Sequence, residues 1–534
     1  MLLHIAVLSC TPCTPRHTIY RYPLTFPRRF VSSLAREMSV RKDTASALVL
    51  VTGCSGYVAS HIVLHLLESG YRVRGSVRES ERGEGAALVA RHARSQEQRS
   101  CFEEVVCDLL KDEGWEEAMR GVDFVLHVAS PVLFAGSVDN ELDAVFKPAL
   151  AGTRRVMLAA AAAGSVRRVV YTSSVSAALQ SMDRETPFDE TSFTDPWDTR
   201  FMAYNRSKSF AELTAWLFAT RCPMSREKLR AMLTAPTTQG RRPTTTTTMH
   251  AMAIDAWLAE EIQHIERVFD ETASASKSDR GHDADIQQRP QLQRLAVCVI
   301  CPAYIIGPVL LQRHVGRPGS SSSELIRSVM TSRPMQFAQP PLALPVVDVR
   351  DVARIQLVAL EHESEGVVGQ RFIAGAGNLS FTDTASYISK HFGSRGYNPV
   401  PRKLPRGVAH IVASLLADRT AADHLDALGK NVAIFRNDKA MALLHTDTRI
   451  THNSFHSEIG FRSLEESVVD TASSLIALGL VTPPKRPLIT ALHHLLRRIR
   501  HGYRLLHPAL MLLIVISISI AIRGFFFSAD HVAQ

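Results

Sequence analysis

The sequence predicts an α/β protein with a doubly wound parallel sheet, a smaller C-terminal lobe and a C-terminal transmembrane helix. Three observations lead to this prediction. Short apolar runs alternate with helical segments from residue 47 onwards, as in βαβ units. A glycine-rich turn joins the first apolar run to the first helical segment. An uncharged segment long enough to cross a bilayer lies near the C-terminus.

The composition is that of a globular protein. Of the 534 residues, 46% are hydrophobic and 21% are charged, close to the usual globular values. This balance excludes a wholly disordered, a collagen-like and a polytopic membrane protein. Eight cysteines are too few for a disulfide scaffold. The length allows about two to four domains, or one large α/β domain with additions.

The net charge of +9 is concentrated at the two ends of the chain. Residues 1–43 carry +5 and residues 485–534 carry +6, whereas residues 44–484 carry −2. Basic ends on a nearly neutral body favour targeting or contact with a membrane surface. They argue against a nucleic-acid partner, because such partners need a basic face on the folded domain.

Residues 1–43 form a predicted N-terminal extension. They are rich in Arg, Ser, Thr and Pro, and the first acidic residue is Glu37, which is typical of an organellar presequence. A gene-model artefact is the alternative, because Met38 provides a natural start shortly before the first strand. A secretory signal is disfavoured because the opening residues MLLHIAVL carry no basic n-region.

The other end of the chain predicts a membrane anchor. A basic juxtamembrane segment, 485–504, precedes a transmembrane tail anchor at 505–527, in which Arg523 near the end is the one charged residue. Positive charge before the apolar segment predicts that the folded domain faces the cytosol, at the endoplasmic reticulum or the mitochondrial outer membrane. Organellar import through the N-terminal presequence is the alternative.

Residues 219–290 interrupt a folded domain that is predicted to comprise 44–218 and 291–484. They contain five consecutive threonines at 244–248 and further stretches of low complexity. We interpret them as a low-complexity surface insertion, with an unspliced intron as the alternative. One piece, 252–271, has helical spacing.

The first strand–turn–helix unit predicts a dinucleotide site. The apolar run 47–51 leads into a turn with Gly53 and Gly56, followed by a helical pattern and a second strand. Gly53 permits the tight turn. Gly56 lets the backbone approach a pyrophosphate at the helix N-terminus, where free N–H groups favour an anion. Ser55 and Tyr57 share this turn and are also predicted to bind the cofactor.

The end of the second strand bears on the choice between NADPH and NADH. An NAD enzyme usually offers a carboxylate to the ribose 2′-hydroxyl at this place. Here the strand 71–77 is followed by Arg78, whose guanidinium suits a 2′-phosphate. The sequence therefore predicts NADPH, with NADH as the alternative because Glu79 is adjacent.

Two later strands end in residues that are predicted to contact the cofactor. One strand ends near Asp108 and Leu109, which are placed to meet the adenine. The next apolar strand ends in Val128, Ala129 and Ser130, which are placed beside the cofactor. The reason is that ligands bind at the carboxyl ends of parallel strands in such sheets.

Ser174, Tyr204 and Lys208 form the predicted catalytic set. Ser174 lies at the hydroxyl-rich end of the segment 167–179. Tyr204 and Lys208 are four residues apart at the start of a helical stretch, and therefore lie on one helix face. A phenol has a pKa of about 10, and a nearby ammonium group is expected to lower it.

This arrangement predicts hydride transfer to a carbonyl group. Ser174 holds and polarises the carbonyl, Tyr204 donates the proton, and Lys208 also bonds the nicotinamide ribose.

Cys298 and Cys301 form a C-x-x-C pair, as do Cys10 and Cys13. No metal site is predicted, because residues i and i+3 of a strand point to opposite faces.

These motifs resemble those of the extended short-chain dehydrogenases/reductases, the NAD-dependent epimerase/dehydratase family. The nearest branch holds dihydroflavonol reductase, cinnamoyl-CoA reductase and methylglyoxal reductases. The matching segments are VTGCSGYVASHIV, YRVRGSVR, VCDLL, FVLHVASP, VYTSSVSA, FDETSF, AYNRSKSFAE, VCVICPAYIIGPVL, PVVDVRDVAR and LEESVVDTASSLIALGLV. They run in family order across 44–218 and 291–484.

The resemblance implies a Rossmann-type sheet with a substrate lobe built from about 300–345 and 375–465. It implies catalytic roles for Ser174, Tyr204 and Lys208, and it makes Pro302 the first residue of the segment that covers the nicotinamide.

The implied function is NADPH-dependent reduction of an aldehyde or ketone, or the reverse oxidation of an alcohol. A flavonoid substrate is not implied, because Ala177, Ala178 and Leu179 stand where the plant enzymes carry an Asn. The alternatives are a membrane-bound sterol or 3β-hydroxysteroid dehydrogenase and a catalytically silent NADP-binding scaffold. The sequence predicts no particular oligomeric state.

Overall fold

The structure is a computed structural model, and it describes residues 47–130, 142–179, 187–234, most of 256–267, 292–315, 322–331, 338–362, 366–405, 407, 409, 435–447 and 460–483. The predicted N-terminal extension 1–43, the juxtamembrane segment 485–504 and the tail anchor 505–527 lie outside the described residues. Within the described ranges, none of the helices combines the length and the apolar character that a membrane crossing requires.

The described residues contain ten labelled strands. They are β1 (Leu48–Val51), β2 (Arg72–Val77), β3 (Phe102–Val106), β4 (Phe124–His127), β5 (Arg168–Thr172), β6 (Val297–Pro302), β7 (Tyr304–Ile306), β8 (Ala343–Asp348), β9 (Arg371–Ala374) and β10 (Gly377–Ser380).

The labelled helices connect and cover these strands. They are α1 (Tyr57–Glu68), α2 (Glu84–His92), α3 (Gln96–Ser100), α4 (Trp115–Met119), α5 (Lys147–Ala162), α6 (Ala203–Phe218), α7 (Arg226–Leu233), α8 (Ser323–Thr331), α9 (Val349–Glu361), α10 (Phe381–Phe392), α11 (Asp438–His445) and α12 (Leu464–Ala477).

A seven-stranded sheet forms the centre of the protein, in the order β3-β2-β1-β4-β5-β6-β9, and all its strand pairs are parallel. In the middle, Val49 of β1 pairs with Val73 on one side and Phe124 on the other. All four residues of β1 are buried, as a parallel sheet covered on both faces requires. This confirms the predicted Rossmann-type α/β fold.

The order of the strands places a binding crevice between β1 and β4. The chain runs outwards from β1 to β3 on one side, and then crosses to β4 and continues outwards in the other direction. The loops that leave β1 and β4 therefore separate and open a crevice at the carboxyl ends of these strands. This switch point is where ligands bind in open α/β sheets.

A second, smaller lobe has its own sheet and its own apolar core. Its sheet has the order β10-β8-β7, and residues such as Ile306, Ile326, Ile388 and Leu475 form its core. The predicted limits of this lobe need two corrections. Helix α12 belongs to it, because Leu475 and its neighbours pack there, whereas α11 packs on the main core through Leu443 and Leu444.

Part of the segment 219–290 also differs from the expectation of a surface insertion. Helix α7 buries Leu229 and Leu233 in the main core, and Ile262 and Ile265 from the piece with helical spacing are buried there as well. Pairs of apolar residues three or four positions apart place both side chains on one helix face, which can then pack. The threonine run 244–248 lies outside the described residues.

Candidate functional site

One open cavity of about 860 Å³ lies at the carboxyl ends of β1, β2, β4 and β5. Every residue predicted to act in catalysis or cofactor binding lines this cavity. These residues are Gly53, Ser55, Gly56, Tyr57, Arg78, Asp108, Leu109, Val128, Ala129, Ser130, Ser174, Tyr204, Lys208 and Pro302. The structure thus brings together side chains from segments that are up to about 250 residues apart.

The glycine-rich turn has the geometry of an anion cradle. Gly53 has a φ of +65°, and a Cβ atom added there would lie 3.0 Å from the Cβ of Ala129. The N–H of Gly56 donates to the carbonyl of Gly53 at 2.8 Å, which closes the turn directly before α1. The N-terminus of α1 opens on the cavity, so a dinucleotide pyrophosphate fits the residues present.

Thr52 and His127, which the sequence analysis missed, hold the facing strand end in place. The Thr52 hydroxyl accepts hydrogen bonds from the N–H groups of Val128 and Ala129, each at 2.9 Å. The same hydroxyl donates a hydrogen bond to Nδ1 of His127, 2.9 Å away. Burial, together with the charge of Lys208, lowers the pKa of His127 to about 3, so the ring is neutral.

The predicted NADPH determinant Arg78 lies at the rim of the cavity beside a carboxylate. Its Nη2 is 2.5 Å from Oε1 of Glu81, which is in the 3₁₀ turn Glu79–Glu81 directly after β2. Glu81 also accepts a hydrogen bond from the Ser55 hydroxyl at 3.0 Å. Arg78 therefore lines the cavity, where it is paired with Glu81, a residue that was not predicted to belong to the site.

Asp108 and Leu109 lie in the loop after β3 and line the same cavity. One carboxylate oxygen of Asp108 accepts from the N–H of Leu110 at 2.9 Å, and its carbonyl accepts from the Trp115 indole at 3.2 Å. These bonds fix the loop. Leu109 packs so closely on Gly152 that a Cβ there would lie 2.8 Å from the Leu109 Cβ.

The predicted catalytic set meets at one point. Tyr204 and Lys208 lie one turn apart near the start of α6, and both are buried, with 9% and 4% of their surface exposed. The Ser174 hydroxyl is near enough to the Tyr204 phenol to lower its pKa as a hydrogen-bond partner. The Lys208 Nζ is 5.7 Å from the centre of the Tyr204 ring.

The electrostatics of this set differ from the expectation in one respect. Burial raises the pKa of the Tyr204 phenol, and the Ser174 hydrogen bond offsets only part of that rise. Burial lowers the pKa of Lys208 to about 8. The predicted lowering of the phenol pKa by the ammonium group is therefore wrong for this geometry, because removal from water is the larger effect.

A buried ion pair supports the strand end that carries Ser174. Arg371 of β9 and Glu212 of α6 are both fully buried, with Nε and Oε1 2.6 Å apart. Glu212 also accepts from the Ser173 hydroxyl at 2.6 Å. Arg371 donates to the carbonyls of Ala177 and Glu190, both at 3.2 Å. Nothing in the local sequence pattern marks these residues as partners.

The second lobe closes one side of the cavity. Pro302, at the end of β6, and Tyr304, at the start of β7, line it, and the cover that Pro302 would begin over a nicotinamide stays a prediction. Further along, Arg313 Nη2 and His314 Nε2 approach the carbonyl of Ser55 at 2.6 Å and 3.0 Å. Tyr304, Arg313 and His314 were not predicted as site residues, and no local motif marks Arg313 or His314.

No cluster of three or more His, Cys, Asp or Glu side chains suited to a metal was found in the part of the chain that the structure describes. Cys298 and Cys301 are both buried in β6, and burial raises the pKa of both thiols. Cys10 and Cys13 lie outside the described residues.

Comparison with known proteins relates the chain to a family of nucleotide-dependent enzymes. Residues 49–231 match the model of the NAD dependent epimerase/dehydratase family. Aldehyde reductase 2 of Sporidiobolus salmonicolor is 39% identical over 191 residues, which are 32% of this chain and 52% of that protein. Cinnamoyl-CoA reductase 1 of Petunia hybrida is 36% identical over 33% of this chain and 50% of that protein. The chain thus spans about half the length of these two relatives.

A longer but weaker match extends over most of the chain. The NADPH-dependent methylglyoxal reductase GRE2 of Saccharomyces cerevisiae is 26% identical over 80% of this chain and 98% of that protein. Among solved structures, yeast methylglyoxal/isovaleraldehyde reductase Gre2 complexed with NADPH has a TM-score of 0.52 and 22% identity, and the match covers 81% of this chain and 100% of that chain. This likeness shows the fold.

Proposed function

We propose that the protein is an NADPH-dependent reductase of aldehydes or ketones, on the premise that residues 49–231 match the model of the NAD dependent epimerase/dehydratase family. The family match confirms the resemblance drawn from the motifs. The observation that carries the proposal is the convergence of Ser174, Tyr204 and Lys208 with the glycine turn in one cavity. The names of the matched relatives, an aldehyde reductase and an NADPH-dependent methylglyoxal reductase, support the same reaction class.

The chain's own residues supply binding, orientation and a proton. The bound nicotinamide cofactor supplies the hydride. Ser174 donates a hydrogen bond to the substrate carbonyl oxygen and so orients and polarises it. Tyr204 carries its proton at neutral pH, since burial raises its pKa, and transfers that proton to the same oxygen as the alcohol forms. Lys208 compensates the negative charge left on the phenolate.

The cofactor proposal is NADPH, with NADH as the alternative. Gly53, Ser55, Gly56 and Tyr57 would hold the pyrophosphate, and Arg78 would face the 2′-phosphate. Asp108, Leu109, Val128, Ala129 and Ser130 would line the adenosine and nicotinamide sides, and Pro302 would begin the cover.

The test is cofactor oxidation by the full-length protein against a panel of aldehydes, ketones and 3-ketosteroids. Tyr204→Phe is expected to lower turnover about 10²–10⁴-fold, the usual contribution of a general acid. Tyr397→Phe is the matched control, because that hydroxyl donates to the carbonyl of Val481 in the second lobe and lies outside the cavity. It is expected to leave turnover unchanged.

The panel also separates the alternatives. Turnover restricted to 3-ketosteroids would move the substrate to the sterol class. NADPH binding without turnover on any compound would overturn the reductase proposal and favour a silent scaffold. Equal losses in Tyr204→Phe and Tyr397→Phe would show that the phenol of Tyr204 is not the proton donor.

We also propose that the protein is held at a membrane by its C-terminal segment, with the folded domain in the cytosol at the endoplasmic reticulum or mitochondrial outer membrane. The support comes from the sequence alone. Residues 508–522 are uncharged, and Arg497, Arg498, Arg500 and Arg504 precede them. Organellar import through 1–43 is the alternative, and both segments lie outside the described residues.

A further inference from the structure

Two Arg–Glu pairs follow β2, and they look equivalent in the sequence RESER (78–82). Arg78 Nη2 lies 2.5 Å from Glu81 Oε1, and Arg82 Nη2 lies 2.7 Å from Glu79 Oε2. Both pairs span three positions across the 3₁₀ turn. In the structure, each of these two guanidinium groups is paired with a glutamate.

The two glutamates nevertheless occupy different places. Glu81 lines the cavity and its side chain is 23% exposed, whereas the Glu79 side chain is 68% exposed and does not line the cavity. Partial burial works against ionisation of Glu81, but the hydrogen bonds and charge supplied by Arg78 and Ser55 outweigh it. The pKa of Glu81 is therefore lowered, and the carboxylate is charged at neutral pH.

Three groups that line the cavity converge on the Glu81 carboxylate. Arg78 binds Oε1, the Ser55 hydroxyl donates to Oε2 at 3.0 Å, and Arg313 Nη1 from the second lobe is 3.9 Å from Oε1. A guanidinium beside a hydroxyl, with a second guanidinium near, is a donor set that suits a phosphate. The carboxylate therefore occupies the place that an anionic phosphate would take.

We propose that Glu81 sets the preference between NADPH and NADH by competing with the 2′-phosphate of NADPH for Arg78 and Ser55. The inference rests on the proposed function and concerns the cofactor preference of that site. A 2′-phosphate has to displace the carboxylate and then remains close to its negative charge. NADH carries no phosphate there and leaves the Arg78–Glu81 pair intact. The present side chain thus reduces the selectivity for NADPH that Arg78 alone would give.

The local charge balance is consistent with this role. Arg313 Nη1 also lies 3.7 Å from Glu84, so three arginines (Arg78, Arg82 and Arg313) stand beside three glutamates (Glu79, Glu81 and Glu84). Asp108 and Glu104 add negative charge near Arg78 and Arg82, and Lys111 adds positive charge near Glu79. A neutral residue at position 81 would remove one negative charge next to the donors that face the cavity.

The experiment measures the dissociation constants of NADPH and NADH for the full-length wild-type protein, Glu81→Gln and Glu79→Gln, without substrate. Cofactor fluorescence or calorimetry reports binding directly. Glu81→Gln is expected to tighten NADPH binding about tenfold, which corresponds to about 1.4 kcal/mol, and to leave NADH binding unimproved. Glu79→Gln removes the same charge two residues away and outside the cavity, so the ratio of the two constants is expected to stay at the wild-type value.

A second variant tests the mechanism. Arg78→Gln in the Glu81→Gln background is expected to abolish the gain in NADPH affinity, since no guanidinium is released for the phosphate. A gain that survives this change would overturn the proposal. Equal changes of the NADPH/NADH ratio in Glu81→Gln and Glu79→Gln would overturn it as well, while leaving the proposed function intact. Wild-type protein that binds neither dinucleotide would overturn the proposed function together with this inference.

Discussion

At the scale of single residues, burial controls the protonation of the two groups at the centre of the candidate site. Tyr204 and Lys208 share one face of α6 and line the cavity as buried side chains. Burial disfavours the charged form of each, so the phenol keeps its proton and the ammonium loses its proton more easily. A phenol that stays protonated suits the role of proton donor in the direction of carbonyl reduction.

The pH dependence of the reaction follows from Lys208. Its pKa is about 8, so the ammonium form prevails below that pH and is lost above it. We expect kcat/KM for carbonyl reduction to fall as the pH rises through about 8, because the charge that compensates the phenolate disappears. The raised pKa of Tyr204 keeps the phenol protonated throughout this range.

Lys208→Arg is the matched variant for this profile, because a guanidinium stays charged at every accessible pH. The fall above pH 8 is expected to vanish in this variant, even if its maximal rate is lower. A falling limb at the same pH in Lys208→Arg would assign it to another group.

At the scale of secondary-structure elements, the buried Arg371–Glu212 pair joins β9 to α6. Glu212 lies two turns after Tyr204 on α6 and binds the hydroxyl of Ser173, the neighbour of Ser174. The pair therefore connects the helix that carries Tyr204 to the strand end that carries Ser174. Removing one partner leaves an uncompensated charge in the core.

Arg371→Met is expected to destabilise the protein by about 3–5 kcal/mol, because the Glu212 carboxylate stays buried without its counter-charge. Urea unfolding measures the difference. The double variant Arg371→Met/Glu212→Gln is expected to be more stable than Arg371→Met alone, since no charge is then buried. The control is Glu117→Gln, whose partner Arg120 is 68% exposed, with an expected change below about 1 kcal/mol. If Arg371→Met lowered the free energy of unfolding by as little as Glu117→Gln, the buried-charge argument would be refuted.

At the scale of the whole molecule, the candidate site depends on how the two lobes are joined. The segment after β7 crosses over α1, where the Tyr57 hydroxyl donates to the carbonyl of Gly307 at 2.9 Å. On its other side, the hydroxyls of Thr471 and Ser474 in α12 accept from the N–H groups of Gly307 and Val309, each at 2.8 Å. These bonds hold the second lobe over the glycine-rich turn and complete the cavity.

The proposed anchor is a property of the whole chain, and chains of three lengths test it. The full chain is expected to stay with membranes in alkaline carbonate. A chain that ends at residue 504 keeps the basic segment but lacks the apolar one, so it is expected to bind weakly and to be released by salt. A chain that ends at residue 484 is expected in the soluble fraction. Release of the full chain by salt alone would contradict a transmembrane anchor.

The sequence by itself determined the main sheet, the glycine-rich turn and the positions of Ser174, Tyr204 and Lys208. These features depend on local patterns, because strands, helices and turns form from residues close together in the chain. All fourteen predicted site residues line one cavity. Most of them follow parallel strands, and the carboxyl ends of parallel strands meet at one edge of the sheet.

Only the tertiary structure decided the partners of these residues. Thr52 and His127 are 75 positions apart, and Arg371 and Glu212 are 159 positions apart, so no local spacing predicts their contacts. The phenol pKa was predicted in the wrong direction because the burial of Tyr204 depends on the folded structure and not on the local spacing of Tyr204 and Lys208. Glu79 and Glu81 look alike in sequence. Only the folded structure places Glu81, and not Glu79, in the lining of the cavity. Contacts between distant segments depend on the order of the strands and on the packing of the lobes. Both are set by the whole fold and not by local spacing.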